Sequence, residues 1–595
     1  MDYNSRNEVN EKYKWDLTTR YKSDEAWEKD YEKIKKSLKN ISKYENIMMK
    51  SADNLYNALE TYYNIETKLS KLYVYAHLKH DEDLSVGKYS LYVNKAYALY
   101  NDYISLSSYM MPEILKTSKT TINKYLKNKK MAKYKFIIED ILRYKKHTLS
   151  AKEEKLVSIL TSENHVFDKI SSILINSTIN YGKMVIDGKE ITVTNSNYRN
   201  IMMNKDRNVR KKCYNLMTGK MKEYTDIFGE TLIANMKTVS NYAEVKNYPS
   251  TMEMQLFSSN IPKVVVDNLY DTVHKRLGSY HKYLRLLKCE LGLEMLEYYD
   301  LNAEYTNDNL TFTIEEAQDL ILDATKIYGE KYHKIIKKAF NERWVDYGSY
   351  KGKQSGAYCT ANYGSNPVVL TNFHNKFTDV SAIVHELGHA VNFYLSIEAN
   401  DAHNYENDIF VAEVASLTNE IILSNYIINN SKNKELKLLA ISNLIDIIQN
   451  NLFDAALEGE LENEMYDLID SKEEISAETL SDCIFNLRKK YYGNEVNLDE
   501  GVRYLWARRS HYYSPFYLYQ YATGVSSAIT IATKIINGDE DMKAKYLDFL
   551  SKGNTDYPVN LLKNIGIDMT KPEVINNAID YFEYLIDEYS KVSDE

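Results

Sequence analysis

The chain has 595 residues, of which 44% are apolar and 27% are charged, and its formal net charge is −9. With only 7 prolines and 20 glycines, this composition is typical of a folded globular protein and argues against a disordered or linker-rich chain. The acidic balance disfavours a nucleic-acid partner, and the absence of any run of about 18 apolar residues predicts no membrane span.

Amphipathic helical patterning covers most of the chain, so we expect a mainly α fold. Ser23 predicts an early helix start, because Asp24 and Glu25 follow it in the first turn, where acids favour the helix dipole. The helical pattern continues with short breaks to about residue 180. Residues 183–193 differ, since apolar runs on both sides of Asp187-Gly188 predict a β-hairpin around an Asp-Gly turn.

Helices resume at about residue 205, and Thr313 to Glu316 form a capping box that opens another one. Residues 355–372 read SGAYCTANYGSNPVVLTN and predict a small sheet or hairpin just before the next helix. No tandem repeat or low-complexity linker marks a boundary. We divide the chain into an N-terminal helical region, 1–200, and a catalytic helical domain, 201–595.

The strongest chemical signal is the sequence SAIVHELGHAVN at residues 381–392. His385 and His389 lie four residues apart, so on a helix both imidazoles project from one face and can bind one Zn²⁺. Glu386 stands beside the first histidine, where it can take a proton from a metal-bound water. We expect Thr378 to cap this helix, with Asp379 as its first residue. Two core histidines beside a surface glutamate are the structural alternative.

A catalytic zinc site needs a third protein ligand. The metzincin pattern is excluded, because Asn392 and Leu395 stand where it requires glycine and histidine. The open candidates for the third ligand are downstream glutamates: Glu398, Glu406, Glu413 and Glu420. The last two are seven apart in a predicted helix and share one face. A helix packed antiparallel could bring Glu413 to the metal and Glu420 to a histidine N–H.

The four cysteines are far apart and form no C-x-x-C pair, so neither a disulfide scaffold nor a cysteine zinc site is expected. Scattered thiols, and a polar stretch at residues 1–16 without the apolar core of a signal peptide, predict a cytoplasmic protein. A metal held only for structure is a rival hypothesis, for which His374 and Cys359 are upstream ligand candidates. The sequence does not indicate an oligomeric state.

Three motifs together resemble oligoendopeptidase F, within the thimet-oligopeptidase-like zinc metallopeptidases. They are HELGHA at 385–390, EVASLTNE at 413–420 and HYYSPFYLYQYATG at 511–524. Weaker matches are KWDL at 14–17, LFSSNIP at 256–262 and the β-like stretch at 355–373. The matches follow the family's order over nearly the whole chain. One departure is Asn392, where related sequences often carry a histidine that is not a ligand.

The resemblance implies two helical halves flanking a deep substrate channel, with a small β element beside the zinc helix. It implies one Zn²⁺ per chain, held by His385, His389 and Glu413, with Glu386 as the general base. It also implies that His511 and a following tyrosine steady the substrate and the developing oxyanion. Tyr513, Tyr517, Tyr519 and Tyr521 compete for this role, and Tyr517 is our first choice. Glu420 is expected behind the histidine ligands, and Tyr513, Tyr519 and Tyr521 are expected near the substrate. Gly356 and Ala357 are expected at the start of an edge strand that pairs with the peptide backbone.

The predicted function is therefore a zinc endopeptidase that hydrolyses internal bonds of short unstructured peptides. A zinc carboxypeptidase on the same fold is the nearest alternative, because Arg508 and Arg509 lie close to His511 in sequence and an arginine can grip a terminal carboxylate. A purely structural hairpin is the alternative for residues 355–372. A satisfied core histidine is the alternative for His511.

Overall fold

The computed structural model describes residues 2–161, 164–307 and 309–595. It confirms the predicted mainly α fold. None of the helices in these residues is both long and apolar enough to cross a bilayer. The α-helices, in chain order, are α1 Asp24–Ser37, α2 Ala52–Glu82, α3 Gly87–Ser107, α4 Met110–Lys116, α5 Lys119–Leu126, α6 Lys135–Arg143, α7 Ala151–Thr161, α8 His165–Ile173, α9 Asn195–Met202, α10 Arg207–Glu223, α11 Thr225–Val245, α12 Thr251–Ser258, α13 Lys263–Lys275, α14 Leu277–Glu290, α15 Ile314–Thr325, α16 Glu330–Asn341, α17 Phe377–Ala399, α18 Ile409–Asn430, α19 Lys434–Ile448, α20 Ala455–Asp470, α21 Ala477–Tyr492, α22 Tyr519–Ile536, α23 Glu540–Phe549, α24 Pro558–Asn564 and α25 Glu573–Asp594.

The strands are short and form small sheets. They are β1 Asp2–Tyr3, β2 Lys183–Ile186, β3 Lys189–Thr192, β4 Leu296–Glu297, β5 Val345–Asp346, β6 Ser349–Tyr350, β7 Tyr358–Thr360, β8 Val368–Leu370 and β9 Val496–Asn497. β2 and β3 pair antiparallel around Asp187 and Gly188, which both have positive φ. Since a type I′ turn needs positive φ at both central residues, the predicted hairpin is confirmed.

The chain folds into two compact units, each built from three separate segments. The first contains residues 1–146, 310–426 and 531–565, and the second contains residues 147–309, 427–530 and 566–595. Both units draw on segments from either side of residue 200. The proposed division at that residue describes order along the chain and stays a prediction.

Helix starts follow local capping chemistry. The side chain of Ser23 accepts a hydrogen bond from the amide of Ala26, and Thr313 and Glu316 form a reciprocal capping box, so both predicted starts are confirmed. The start predicted for the motif helix is wrong by two residues, since α17 begins at Phe377. Asp379 is not its first residue but lies within its first turn. There its carboxylate accepts hydrogen bonds from the amides of His374 and Lys376, at 2.7 and 2.8 Å.

In the first unit, a three-stranded sheet packs on α17. β8 is the central strand, parallel to β5 and antiparallel to β7, with Cys359 opposite Val369. All three residues of β8 are buried, whereas β7 lies at the edge of the sheet. The predicted β element beside the motif helix is therefore present, and β7 and β8 both contact that helix.

Candidate metal centre and substrate-positioning residues

Two successive helices of the first unit bring the predicted metal ligands together. His385 and His389 lie one turn apart on α17, with ring centroids 5.1 Å apart. Glu413 is on the first turns of α18. Its Oε2 lies 3.3 Å from Nε2 of His385 and 3.5 Å from Nε2 of His389. The three ligand atoms all fall within 4.8 Å of one another.

These separations suit a zinc ion. Ligand atoms about 2.0–2.1 Å from one tetrahedral ion are about 3.3–3.4 Å from each other, close to the observed 3.3 and 3.5 Å. Two imidazole nitrogens and one carboxylate oxygen also make the three-ligand donor set of catalytic zinc sites, in which a fourth position serves water or substrate. The residues present therefore fit Zn²⁺.

The ring of His385 is oriented by Glu420, one of the residues singled out from the sequence. The Nδ1–H of His385 donates to Oε1 of Glu420 at 2.6 Å, and the hydroxyl of Ser381 donates to Oε2 at 2.6 Å. A hydrogen bond at Nδ1 leaves Nε2 as the ligand atom and fixes the ring plane. Sequence reasoning missed Ser381, although its spacing four residues before His385 puts it on the same helix face.

Glu413 and His385 shift each other's pKa values in opposite directions. Burial alone would raise the pKa of this carboxyl, but hydrogen bonds from His385 and His389 hold the pKa well below its usual range. Burial would likewise lower the pKa of His385, but its hydrogen bonds to Glu413 and Glu420 raise that pKa well above normal. The hydroxyl of Ser416 donates to Oε2 of Glu413 at 2.9 Å and helps to fix the carboxylate.

A glycine allows α17 and α18 to approach closely. A Cβ atom on Gly388 would lie 2.6 Å from the carbonyl oxygen of Ala415 and 2.7 Å from Cα of Ser416, closer than real Cβ contacts. Asn419 fastens the same crossing, since its Nδ2 donates to the carbonyl of Val384 at 3.1 Å. Tyr332 in turn donates to Oδ1 of Asn419 at 2.7 Å. Both helix backbones are thus fixed where the ligands project.

Glu386, the predicted base, is 7% exposed. Burial raises its pKa, an effect that His385 and His389 oppose. Its carboxylate makes no hydrogen bond with the residues that the structure describes, so the group is free to exchange a proton. A carboxylate with a raised pKa is a better general base near neutral pH than an ordinary surface glutamate.

The other candidate ligands lie elsewhere. Glu398 is near the end of α17, beside Tyr394, and Glu406 accepts a hydrogen bond from Tyr405 at 2.9 Å. Neither these two nor His374 and Cys359 belong to the group of three ligand atoms. Asn392, the departure from the family pattern, donates to the carbonyl of Leu550 at 2.8 Å and so joins α17 to the end of α23.

The second unit holds His511 within a group of tyrosines. The centroid of its ring is 6.0 Å from that of Tyr517 and 6.2 Å from that of Tyr521, and the two tyrosines are 5.3 Å apart. Burial, and to a smaller extent the charge of Arg509, lowers the pKa of His511. Its Nδ1 is buried and has no hydrogen-bond partner among the described residues. A core histidine would ordinarily be satisfied.

The four competing tyrosines differ in orientation. The hydroxyl of Tyr513 lies 3.1 Å from that of Thr231, and Tyr519 is buried, at 2% exposure. The segment between them turns at Phe516, which has a φ of 56° and whose amide donates to Glu462 at 2.8 Å. Tyr517 and Tyr521 are partly exposed beside His511, which favours these two as its partners.

Gly356 and Ala357 lie directly before the edge strand β7. Gly356 has a φ of 85°, which a residue with a side chain rarely adopts, and its carbonyl accepts from Asn372 at 2.9 Å. Burial and the nearby charge of Glu386 raise the pKa of Cys359 well above normal. The middle of β7 is therefore close to the candidate base.

A mainly helical chain that presents His-Glu-x-x-His on one helix and a third carboxylate from the next has the hallmarks of a metallopeptidase. Comparison with known families gives the same class. Residues 200–581 match the family described as Peptidase family M3, and residues 113–181 match the family described as Oligopeptidase F. The chain belongs to peptidase family M3, and it is a metallopeptidase that hydrolyses peptides.

Full-length relatives and solved structures agree. The chain is 34% identical to Oligopeptidase PepF of Bacillus subtilis, over 99% of this chain and 88% of the relative. It is 32% identical to an oligoendopeptidase F homolog of Lactococcus lactis, over 99% and 98%. Oligoendopeptidase-F from Enterococcus faecium superposes with a TM-score of 0.75 at 28% identity, covering 96% of this chain and 99% of that one. A Chlamydophila abortus protein crystallised as a candidate peptidase gives 0.91 at 30% identity, over 99% and 100%.

Proposed function

We propose that this protein is a zinc-dependent endopeptidase that cleaves internal bonds of short unstructured peptides. The observation that carries the proposal is the convergence of Nε2 of His385, Nε2 of His389 and Oε2 of Glu413 at separations that suit one tetrahedral zinc ion. Membership of a peptidase family whose relatives are named oligoendopeptidases supports it.

His385, His389 and Glu413 would hold one Zn²⁺ per chain. When bound there, zinc supplies Lewis acidity, which lowers the pKa of a water molecule toward about 7 and polarises a carbonyl group. Glu420 keeps the His385 ring in place through the hydrogen bond at Nδ1.

Glu386 acts as the general base and then as the general acid. Its carboxylate accepts a proton from the attacking water and passes that proton to the leaving amine. The raised pKa of Glu386 suits both steps, because the group must take up and release a proton near neutral pH. Its lack of a hydrogen-bond partner among the described residues leaves both oxygens available.

His511 and Tyr517 donate hydrogen bonds to the oxygen of the attacked carbonyl, and Tyr521 and Tyr513 are their neighbours. The unsatisfied Nδ1 of His511 and its closeness to Tyr517 support this role. One such donor is typically worth about 2.7–4 kcal/mol in the transition state. Tyr513 contacts Thr231 and is assigned a positioning role.

The edge strand β7, entered through Gly356 and Ala357, pairs with the backbone of an extended peptide. The position of β7 at the sheet edge and beside Glu386 supports this assignment. Backbone pairing selects extended chains, which fits the narrow channel implied by the family resemblance. Folded proteins would then be poor substrates. We place this activity in the cytoplasm, where the four free cysteines would stay reduced.

Two assays test the proposal. Peptides blocked at both ends distinguish an endopeptidase, which cleaves them, from a strict carboxypeptidase, which does not. Glu386→Gln should retain zinc, measured by mass spectrometry, and lose at least about 100-fold in kcat. Substantial turnover by this variant would exclude Glu386 as the base, and cleavage of only unblocked peptides would favour the carboxypeptidase.

A further inference from the structure

A pocket of about 260 Å³ in the second unit is rich in hydrogen-bond donors. Four arginines line it, together with a tyrosine and an asparagine whose side chains make no hydrogen bond to a described residue: Arg199, Arg488, Arg508, Arg509, Tyr298 and Asn302. We propose that this pocket binds a carboxylate group of the peptide substrate. The inference rests on the proposed peptidase function and adds to it a preference among peptides.

Arg508 is held in place without a carboxylate partner. Its guanidinium lies 4.0 Å from the ring centroid of Tyr198, and its Nε and Nη2 both donate to Oδ1 of Asn195, at 3.1 and 2.8 Å. Nη1 makes no hydrogen bond to any described residue. A largely buried arginine normally pairs with an acid, so a pre-positioned and unpaired one is suited to an anionic ligand.

The acids of the pocket do not neutralise its arginines. Glu458 is bound by Arg488 at 2.9 Å and Arg509 at 3.4 Å, and it also accepts from the hydroxyl of Tyr512. Asp454 is the second acid in the lining; burial raises its pKa to about 6, which Arg509 opposes. Four guanidinium groups thus face two carboxylates.

Arg199 is the other arginine without a close partner. It is exposed, and it forms no ion pair and no side-chain hydrogen bond with described residues. An acid outside the lining, Asp446, has its pKa raised to about 7 by desolvation, a rise that the charge of Arg199 opposes. Even with Asp446 fully ionised, four arginines face three acids, so the pocket keeps a positive excess.

Carboxylate is the anion that the position of the pocket favours. Guanidinium groups bind planar carboxylates through paired hydrogen bonds, and every unblocked peptide ends in one. Arg508 precedes His511 by three residues, which span at most about 10 Å of chain. When the attacked carbonyl of a peptide contacts His511, the carboxylate that reaches this pocket therefore belongs to a residue only a few positions from the cleaved bond. That spacing allows internal cleavage while favouring short peptides.

The source of the carboxylate is either the C-terminus or an acidic side chain, and matched peptides separate the two. One pair differs only in a free or amidated C-terminus, and a second, amidated pair differs only in Glu or Gln on the leaving-group side. For at least one pair the acidic member should have a KM about tenfold lower, which is the low end of the strength of a hydrogen bond to a charged group.

Variants assign the effect to this pocket. Arg199→Met should bring the acid-to-neutral KM ratio close to one, and Arg508→Met should do so more completely. Arg285→Met is the matched control, since Arg285 is also exposed in the second unit but pairs with Glu495 at 2.6 Å outside the pocket. If Arg508→Met does not fold, Arg199→Met still decides. An unchanged ratio in both variants would overturn the assignment.

A binding measurement separates this inference from the proposed function. Fluorescence anisotropy of labelled acid and amide peptides on zinc-loaded Glu386→Gln reports affinity without turnover. Tighter binding of the acidic peptide, lost when Arg199→Met is added to Glu386→Gln, supports the pocket. This result would hold even if the wild type cleaved neither peptide, and that failure to cleave would refute only the peptidase assignment. Equal binding within both pairs overturns the inference. Stabilisation by inorganic phosphate alone, without discrimination between peptides, overturns it too and assigns a general anion pocket.

Discussion

Replacing Gly388 by alanine tests whether the close crossing of α17 and α18 sets the metal geometry. The added Cβ would lie 2.6 Å from the carbonyl oxygen of Ala415 and 2.7 Å from Cα of Ser416. Both are backbone atoms, so no side-chain rotation relieves the clash. An ordinary contact begins at 3.4 Å, and the two helices must therefore separate by about 0.8 Å, since packed interiors leave little free volume.

The expected loss combines two opposing effects. Overpacking typically costs about 1–3 kcal/mol, whereas alanine gains about 0.8–1.0 kcal/mol over glycine in a helix interior. We expect Gly388→Ala to lower the free energy of unfolding by about 0–2 kcal/mol, and by about 1–3 kcal/mol relative to an alanine substitution that meets no clash. Zinc affinity should fall as well, because a shift of this size moves Glu413 away from two Nε2 atoms that now lie 3.3 and 3.5 Å from its Oε2.

Urea unfolding and zinc titration against a competing chelator measure the two effects. Gly219→Ala is the matched control, because Gly219 is within α10 and an added Cβ there meets no atom within 4 Å. This control should gain stability and keep zinc affinity. If Gly388→Ala were as stable as Gly219→Ala and bound zinc like the wild type, the close crossing would not govern the centre.

Three further predictions concern other groups. Glu413→Ala should weaken zinc binding in the same chelator assay far more than Glu420→Ala, for which a loss of about 10–100-fold is expected; the reverse order would exclude Glu413 as the ligand. His511→Ala should lower kcat and kcat/KM together by about 100-fold, with zinc content and melting temperature unchanged, whereas normal kcat with a lower melting temperature would make His511 a core residue. Burial raises the pKa of Glu462 to about 8 from a usual 4.5. Between pH 4.5 and pH 8 the carboxyl of Glu462 is therefore ionised in the unfolded chain but still protonated in the folded one. Rising pH in this range lowers the free energy of unfolding by about 1.4 kcal/mol per pH unit. Glu462→Gln should therefore have the same melting temperature as the wild type at pH 5 and a higher one at pH 8.5. A wild type that is more stable than this variant at pH 8.5 would contradict the raised pKa of Glu462.

Local chemistry explains what the sequence predicted well. The Asp187-Gly188 pair fixes its hairpin because positive φ is required there, and the spacing of His385 and His389 fixes their common helix face. The seven-residue spacing of Glu413 and Glu420 likewise puts both on the side of α18 that faces α17, where they contact the histidines. Each of these features depends on residues within two helical turns.

Features set by distant packing were not predictable. In the sequence, nothing distinguishes Gly388 from an ordinary helical glycine. Its role depends on the backbone of Ala415 and Ser416, which packs against it in the folded protein. The register of the tyrosines after His511 is similarly hidden, because the backbone between them leaves regular helix at Phe516, where φ is positive and the amide is held by Glu462. Helical periodicity gives no orientation across such a turn.

The segmented construction of the first unit has a consequence for biosynthesis. α17 and α18 are complete once residue 430 has been made, but Asn392 and Asn400 bond to the carbonyls of Leu550 and Ser551, about 120 residues later. At synthesis rates of about 5–20 residues per second, this delay is roughly 6–24 s. During that time the helix that carries His385 and His389 lacks part of its packing. We therefore expect the helix that carries the metal ligands to reach its final packing only after residue 551 has been made, and not as soon as the ligands themselves have been made.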